Sequence, residues 1–334
     1  MIDPRIYASD AINIQSISGG KDSLAQWLLA IDAGVNSIRV FADTGHEHAQ
    51  TLDYLDYLEN KLGPIRRVKA DFTDRINGKR KFIAERWPVT LVTECGFSDE
   101  QAAEIIKVAL DTLHPTGVPF LDLCMWKGRF PSTKVRFCTT ELKHFPIRDQ
   151  IVIPLLEEYD EVISWQGVRA EESFDRANLP MWETDADNTP GLNVYRPIID
   201  WKHADVFALA KFHGIKPNPL YLQGCGRVGC MPCINVNKAE LAQIFQRWPE
   251  EIARVAAWER LVAACSRRQN STFFPSTNDP KKSERRIALI SLESHGIETY
   301  RDWALTTRGG RQFDLLAESN DRAACNSVYT GVCE

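Results

Sequence analysis

Six consecutive residues, Ser18 to Ser23, read SGGKDS and have the composition of an anion-binding loop. Two glycines let backbone N–H groups approach an anion closely, and Lys21 adds a full positive charge. A helix that begins directly after the loop would add partial positive charge at its N-terminus. The G-x4-G-K-[ST] spacing of the Walker loop is absent. We therefore expect a phosphate-binding loop of another kind, the alternative being an ordinary glycine turn capped by Ser23.

A second group with chemical potential is a cysteine cluster with the spacing C-x4-C-x2-C, formed by Cys225, Cys230 and Cys233. Zinc and iron–sulfur clusters both favour four thiolates, so spacing alone does not separate them, and clustered core cysteines are a third interpretation. Gly224 to Gly229 matches a dinucleotide-binding fingerprint literally. We reject that interpretation because the motif follows an Asn-Pro turn and opens no helix.

The elements that must position these residues alternate between strands and helices. Such alternation predicts an α/β fold with a parallel sheet and helices on both faces. Ligands bind at the carboxyl ends of such strands, so the Ser18–Ser23 loop and the Asp43–Gly45 turn should line one crevice. The predicted strands are Ala11–Ile17, Ser37–Ala42, Ile65–Val68 and Glu161–Gly167.

Length and composition set the broad class. At 334 residues the chain is expected to form roughly two domains of about 150 residues each. Hydrophobic residues at 44% and charged residues at 25% exclude a disordered or fibrous protein. No apolar run approaches the ~18 residues of a membrane span, and no signal peptide is evident, so we expect a cytoplasmic protein without structural disulfides. We predict a nucleotide-binding domain over 1–235 and a mainly helical region over 236–334.

The net charge of −5 gives no overall basic excess, so a nucleic-acid substrate would require a local basic patch. The candidate basic runs are Lys79–Lys81, Arg267–Arg268, and Lys281–Lys282 with Arg285–Arg286. Short runs of Lys and Arg are more typical of solvated surface than of a binding site.

The SGGKDS loop resembles the PP-loop of the ATP pyrophosphatase superfamily, whose members split ATP between its α- and β-phosphates. Four further segments, in the family's order, resemble its phosphoadenosine-phosphosulfate-reductase-like branch. This resemblance covers about residues 12–235 and implies a Rossmann-like fold of the adenine nucleotide alpha hydrolase type. The segments are Phe41–His48, Arg136–Cys138 with Lys143, Gly167–Ser173 with Arg176, and Tyr195–Trp201.

The resemblance also implies roles for individual residues. Asp22 would position the loop or a metal ion, expected to be Mg²⁺, and the Asp43–Thr44 turn would contact the nucleotide. The phosphates would be contacted by Arg136, Lys143 and Arg169, because charged hydrogen-bond donors bind phosphate oxygens well. The pyrophosphate itself would be bound by Ser18, Gly19, Gly20, Lys21 and Ser23. The expected catalytic residues are Lys21, Asp22, Arg136 and Lys143.

In pattern, the chain is most similar to sulfurtransferases of the DndC type, which modify DNA by phosphorothioation. That similarity implies that Cys138 joins the three clustered cysteines around a [4Fe–4S] cluster, with zinc as the alternative. It also implies an ATP-dependent sulfurtransferase that adenylates an acceptor, expected to be DNA or tRNA. The expected partners are a cysteine desulfurase or other sulfur donor and further modification-complex subunits. No contact with a membrane is expected.

The alternative enzyme is a sulfonucleotide reductase, and a nucleotide-sensing subunit without catalysis is a third interpretation. Those reductases do not cleave ATP, and their loop typically departs from SGGKDS. They also carry an adjacent cysteine pair and a tail thiol in a Glu-Cys-Gly context, whereas Cys333 stands between Val332 and Glu334. His46 and His48 could form a metal pair, but residues of this kind more often cap a helix or contact a nucleotide.

Overall fold

The structure, a computed structural model, describes residues 2–186, 189–274 and 292–306. Its centre is a six-stranded sheet with the order β3-β2-β1-β4-β6-β5. All neighbouring strands are parallel except β5, which pairs antiparallel with β6 at one edge. The strands are β1 (Ala11–Ser16), β2 (Ser37–Asp43), β3 (Ile65–Lys69), β4 (Glu161–Trp165), β5 (Trp182–Glu183) and β6 (Leu192–Tyr195).

Helices cover both faces of this sheet, which confirms the predicted fold class. Along β2, Val40 packs in one apolar cluster with Ile151 and Val162, whereas Phe41 packs in another with Leu24 of the first helix. Successive residues of a strand point to opposite faces, so the two clusters lie on opposite sides of the sheet. The helices of the first half are α1 (Lys21–Asp32), α2 (Ala49–Leu62), α3 (Thr73–Thr93), α4 (Asp99–Thr112) and α5 (Pro119–Lys127).

A continuous helical segment over 137–156 leads into β4 and alternates between α and π turns. The α turns are α6 (Phe137–Thr139), α7 (Phe145–Ile147) and α8 (Ile153–Leu156), and the π turns are Thr140–His144 and Arg148–Val152. Each π turn ends two residues before a proline: the Phe145 N–H donates to the Thr140 carbonyl, and the Ile153 N–H donates to the Arg148 carbonyl. Because Pro146 and Pro154 carry no N–H, the α-helical ladder cannot continue through them.

The described part of 236–334 is mainly helical, as the sequence predicts. The helices after β4 are α9 (Phe174–Ala177), α10 (His203–Phe212), α11 (Pro219–Leu222), α12 (Lys238–Arg247), α13 (Pro249–Ala264), α14 (Leu292–His295) and α15 (Ile297–Ala304). One apolar cluster joins helices on both sides of the predicted boundary at 235, with the rings of Phe120 and Trp258 5.8 Å apart. The division into two domains stays a prediction, and this cluster is the contact between the two predicted parts. The apolar spacing over 282–292 also predicts a helix, which lies almost wholly outside the described residues.

Strand order fixes where a ligand can bind. From β1 the chain proceeds outward to β2 and β3, then returns to β4 on the other side of β1. The order therefore reverses between β1 and β4, and a crevice at the carboxyl ends of strands is expected at such a point.

Candidate functional site

A cavity of about 460 Å³ lies at this reversal point, at the carboxyl ends of β1, β2 and β4. The SGGKDS loop forms one wall, and the segment after β4, including Gly167, forms another. The π-helical segment supplies His144 and Arg148. The charged and hydroxyl-bearing residues that line the cavity are Ser16, Ser18, Lys21, Asp22, Ser23, Glu47, Lys143, His144, Arg148, Ser164, Glu172, Arg176, Tyr221 and Arg227.

The loop is closed on itself by Ser23. The backbone N–H of Ser18 donates to the Ser23 Oγ at 3.2 Å, and that hydroxyl donates to the Gly20 carbonyl at 2.9 Å. Gly19 has a φ of +72°, and a Cβ there would lie 2.9 Å from the Thr51 Cγ2, so only glycine fits without strain. Helix α1 begins at Lys21, so the last three residues of the SGGKDS loop form its first turn, and the helix directs its N-terminal dipole at the cavity.

Asp22 links the loop to Arg169. The Lys21 Nζ lies 3.0 Å from the Asp22 Oδ2, and the Arg169 Nε donates to the other carboxylate oxygen. Arg169 is only 2% exposed, also pairs with Glu171, and does not line the cavity. The structure therefore places Arg169 behind Asp22, where it positions the loop. Its expected contact with a phosphate stays a prediction.

Lys143 lines the cavity and lies beside the cysteines. Burial opposes its charged form, but the neighbouring Cys230, Glu47, Cys233 and Cys138 hold the pKa of Lys143 above its usual value. Burial and the Glu47 carboxylate raise the pKa of the Cys230 thiol to about 12, although Lys143 lowers it. The ammonium of Lys143 is thus surrounded by groups that are, or can become, negative.

The loop that carries the clustered cysteines, residues 225–233 (the cysteine loop), packs against the turn after β2. The Thr44 hydroxyl lies 3.7 Å from the Cys230 Sγ, and the Met231 N–H donates to the His46 carbonyl at 3.0 Å. The His46 Nε2 lies 2.9 Å from the Pro232 carbonyl oxygen. Complete burial lowers the pKa of His46 to about 3, so the ring is neutral and Nε2 donates this hydrogen bond. His48 caps α2 by accepting a hydrogen bond from the Gln50 N–H.

Three of the four predicted cluster ligands share one neighbourhood. Cys138, Cys230 and Cys233 interact electrostatically with Lys143, whereas Cys225 interacts with Glu240 and Arg247. Among the described residues, no group of three or more His, Cys, Asp or Glu side chains has a geometry that could hold a metal ion. The side chains as placed do not fit a four-thiolate cluster, and the iron–sulfur and zinc hypotheses stay predictions.

The other cysteines occupy varied positions. Cys124 and Cys265 are buried in the core, whereas Cys95 is exposed. Cys325 and Cys333 lie outside the described residues.

Two predicted nucleotide contacts and one predicted phosphate contact lie outside the cavity wall. The Asp43 Oδ1 accepts a hydrogen bond from the Gly45 N–H at 2.8 Å, and the buried Thr44 hydroxyl donates to the Glu47 Oε1 at 2.7 Å. Both residues shape the turn, while Phe41 and Ala42 line the cavity instead. Arg136 is exposed and also lies outside the lining.

Several lining residues were not among the predicted site residues. The hydroxyl of Tyr221 accepts a hydrogen bond from the Lys21 N–H at 3.1 Å, and Arg227 belongs to the cysteine loop. Glu47 and Arg176 lie within segments that resemble the family, but Arg148 does not. These side chains reach the cavity through contacts between distant segments, which no local spacing encodes.

No helix within the described ranges combines the length and hydrophobicity that crossing a bilayer requires. A family model described as the phosphoadenosine phosphosulfate reductase domain matches residues 12–236. The chain is 72% identical over its full 334 residues, and over the full length of the relative, to an uncharacterized 37.8 kDa protein in the gpa 5′ region of Escherichia phage 186.

More distant similarities are partial. An uncharacterized protein of Methanocaldococcus jannaschii is 27% identical over 240 residues, which is 72% of this chain and 45% of that protein. The adenosine 5′-phosphosulfate reductase of Allochromatium vinosum is 45% identical over 67 residues, 20% of this chain and 25% of that enzyme. The phosphoadenylyl-sulfate reductase structure from Candida auris shares 18% identity, covering 68% of this chain and 84% of that one, with a TM-score of 0.40.

Proposed function

Because the chain belongs to the phosphoadenosine phosphosulfate reductase domain family, we propose that it is an enzyme that acts on an adenine nucleotide, and specifically an ATP-dependent sulfurtransferase. It cleaves ATP between the α- and β-phosphates, adenylates an acceptor, and exchanges the adenylate for sulfur. The observation that carries the proposal is the intact SGGKDS loop at the start of α1, open to the cavity.

The charge of the cavity suits a polyphosphate. Among the described residues that line it, five cationic side chains stand against three carboxylates. The volume of about 460 Å³ lies in the range of small-molecule sites. The cations are Lys21, Lys143, Arg148, Arg176 and Arg227, and the carboxylates are Asp22, Glu47 and Glu172.

In the first step, an oxygen of the acceptor attacks the α-phosphorus of ATP. The bond from the α-phosphorus to the bridging oxygen breaks, and pyrophosphate leaves with the electron pair. The loop N–H groups, the Lys21 ammonium and the helix N-terminus stabilise the charge that develops on pyrophosphate. Asp22, fixed by Arg169, holds Lys21 in position. Mg²⁺, bound chiefly through the phosphates, would neutralise part of their charge.

In the second step, a sulfur nucleophile attacks the acceptor atom that carries the adenylate. AMP leaves, and the acceptor retains sulfur in place of oxygen. Hydrosulfide would supply the sulfur directly. A persulfide of a cysteine desulfurase or another donor would first form a disulfide with the acceptor. A thiol would then attack the donor cysteine sulfur, form a new disulfide with it, and leave the transferred sulfur on the acceptor as a thiolate. Lys143 lies between the cavity and Cys138, Cys230 and Cys233, where its charge favours an incoming anionic sulfur. No step is assigned to a metal cluster, since the four thiols are not gathered as one ligand set.

The acceptor we propose is nucleic acid, as in the DndC-type enzymes that the motifs resemble, with modification-complex subunits as partners. A second candidate function is reduction of a sulfonucleotide by a thiol. The family description and the similarity to the Allochromatium reductase favour it. The intact loop and the absence of an adjacent cysteine pair in the sequence favour sulfur transfer.

One experiment separates the two functions. Purified protein, treated with iron and sulfide, is incubated with ATP, Mg²⁺, a nucleic-acid acceptor and a sulfur donor, and in parallel with adenylylsulfate and a thiol. Sulfur transfer predicts equal amounts of AMP and pyrophosphate from ATP, with sulfur in the acceptor. Release of sulfite from adenylylsulfate without any ATP cleavage would contradict the proposal.

A further inference from the structure

The segment over 127–148 carries a basic surface whose C-terminal end reaches the cavity, and we propose that it binds the phosphate backbone of single-stranded nucleic acid. The proposal rests on the proposed function, because a strand held here would present itself to the nucleotide site as the acceptor. It adds the binding surface and the form of the acceptor, which neither the motifs nor the similarities assign.

The first observation is the concentration of charge. Residues 127–148 carry six Lys or Arg residues and one acidic residue, Glu141, in a chain whose net charge is −5. A local basic patch of this kind is what an acidic protein needs to attract a polyanion. The cations are Lys127, Arg129, Lys134, Arg136, Lys143 and Arg148, with His144 among them.

The second observation is that the one acid of the segment is already neutralised. The Glu141 carboxylate lies 3.3 Å from the Lys127 Nζ and also pairs with Arg75 of α3. Arg129, Lys134 and Arg136 are exposed, and none of them has a carboxylate partner within the described ranges. Three cations are therefore free to contact phosphates.

The third observation concerns the aromatic residues of this surface. The Lys127 Nζ lies 3.9 Å from the centre of the Trp126 ring, and the Arg129 Cζ lies 5.6 Å from the centre of the Phe137 ring. Each cation occupies one face of its ring, which leaves less of the ring for stacking against bases. The surface therefore suits contacts to the backbone, which do not depend on sequence.

The fourth observation is continuity with the cavity. Lys143, His144 and Arg148 line the cavity, and His144 is exposed, so it lies at the rim. A single strand is flexible enough to bend from this rim into the recess, whereas a duplex with a persistence length of about 150 base pairs is not. The ligand that we propose is therefore a single strand and not a duplex.

Three residues of the basic runs singled out from the sequence are engaged in contacts within the fold. The Lys79 Nζ donates to the carbonyls of Met125 and Cys265 at 2.9 and 3.0 Å, and burial lowers the pKa of Lys79 to about 8. Arg80 donates to the Leu113 carbonyl at 2.7 Å, and Arg267 pairs with Glu94 at 3.1 Å. The run over 281–286 lies outside the described residues.

The test uses the full chain without ATP and a fluorescently labelled 20-nucleotide single strand, with binding followed by anisotropy. The double variant Arg129→Glu, Lys134→Glu is compared with Arg86→Glu, Lys107→Glu, which makes the same charge change at exposed positions of α3 and α4. We expect the first variant to bind roughly tenfold more weakly or worse, with a shallower salt dependence, and the second to change by less than about twofold. Thermal unfolding of both variants establishes that they are folded.

Three results would overturn the proposal: no binding by the wild-type protein, equal weakening in both variants, or tighter binding to a duplex or to polyglutamate than to the single strand. DNA and RNA strands of the same sequence are both single-stranded nucleic acid, and binding of either supports it. ATP cleavage is measured separately with the wild-type protein, so loss of the proposed function and loss of this surface give different results.

Discussion

The buried guanidinium of Arg169 forms an ion pair with the carboxylate of Asp22 and so joins the segment after β4 to the first turn of α1. The two residues are 147 positions apart in the sequence. Their side chains are 3% and 14% exposed, which leaves little water to screen the interaction. The segment after β4, across the reversal point from β2, therefore holds the phosphate loop in position.

We expect Arg169→Ala to lower the free energy of unfolding by about 2 kcal/mol, because it removes the buried guanidinium from Asp22 and leaves that carboxylate with Lys21 alone. Arg176→Ala is the control, since Arg176 is 40% exposed and its pair with Glu172 should contribute less than about 1 kcal/mol. Urea denaturation measures both. Equal effects would show that Arg169 does not brace the loop.

Gly167 is expected to tolerate no side chain. A Cβ at this position would lie 2.6 Å from the Asp22 carbonyl oxygen and 2.7 Å from its carbonyl carbon. Gly167→Ala should therefore displace the loop, weaken ATP binding, and destabilise the fold by about 1–3 kcal/mol. Gly78→Ala in α3 meets nothing within 4 Å and should be neutral or slightly stabilising. Calorimetric titration with a non-hydrolysable ATP analogue and thermal unfolding test both variants.

Lys21→Ala should reduce the rate of ATP cleavage by about 100-fold or more, because it removes a charge aimed at the leaving pyrophosphate. The exposed Lys61 at the end of α2 provides the control, and Lys61→Ala should retain full activity. Pyrophosphate release is the measurement. Undiminished release by Lys21→Ala would mean that the loop is not the pyrophosphate site.

Glu259 should make stability depend on pH. It is 3% exposed, and burial raises its pKa from 4.5 to about 7, although it accepts hydrogen bonds from the N–H groups of Phe273 and Ile297. Between pH 4.5 and 7 the folded chain binds more protons at this site than the unfolded chain. Stability should therefore fall across that range as pH rises, by on the order of 2 kcal/mol.

Glu259→Gln is the control for this effect, since the amide cannot ionise. Urea denaturation at pH 5 and pH 8 should show a smaller difference in unfolding free energy for this variant than for the wild type. An identical pH dependence in the two proteins would assign the effect to other groups.

The cluster hypothesis has its own test. If the four thiols rearrange around an iron–sulfur cluster, protein treated with iron and sulfide would absorb near ~400 nm, Cys230→Ser would lose this absorbance, and Cys95→Ser at an exposed position would retain it. A wild-type protein without this absorbance would agree with the separate position of Cys225. Cys225→Ser is the decisive variant, because Cys225 has different neighbours from the other three thiols. A colourless wild-type protein with one bound zinc would favour the alternative metal.

The sequence by itself determined the parts of the site that are local. The SGGKDS loop was placed correctly between a strand and a helix, because glycine content, polar spacing and apolar periodicity are properties of neighbouring residues. The α/β fold class followed from the same alternation of patterns. Strand limits differ from the predicted ones by one or two residues, as with β4, which ends at Trp165 rather than Gly167.

Tertiary structure alone decided which distant residues share a neighbourhood. It placed Arg169 behind Asp22, brought Cys138, Cys230 and Cys233 within electrostatic reach of Lys143, and put Lys143, His144 and Arg148 in the wall of the cavity. It also converted the Lys79–Arg80 run from a candidate binding patch into hydrogen bonds within the fold. These outcomes depend on how separate elements pack, and packing is set by shape and burial over the whole chain, which the spacing of neighbouring residues does not record.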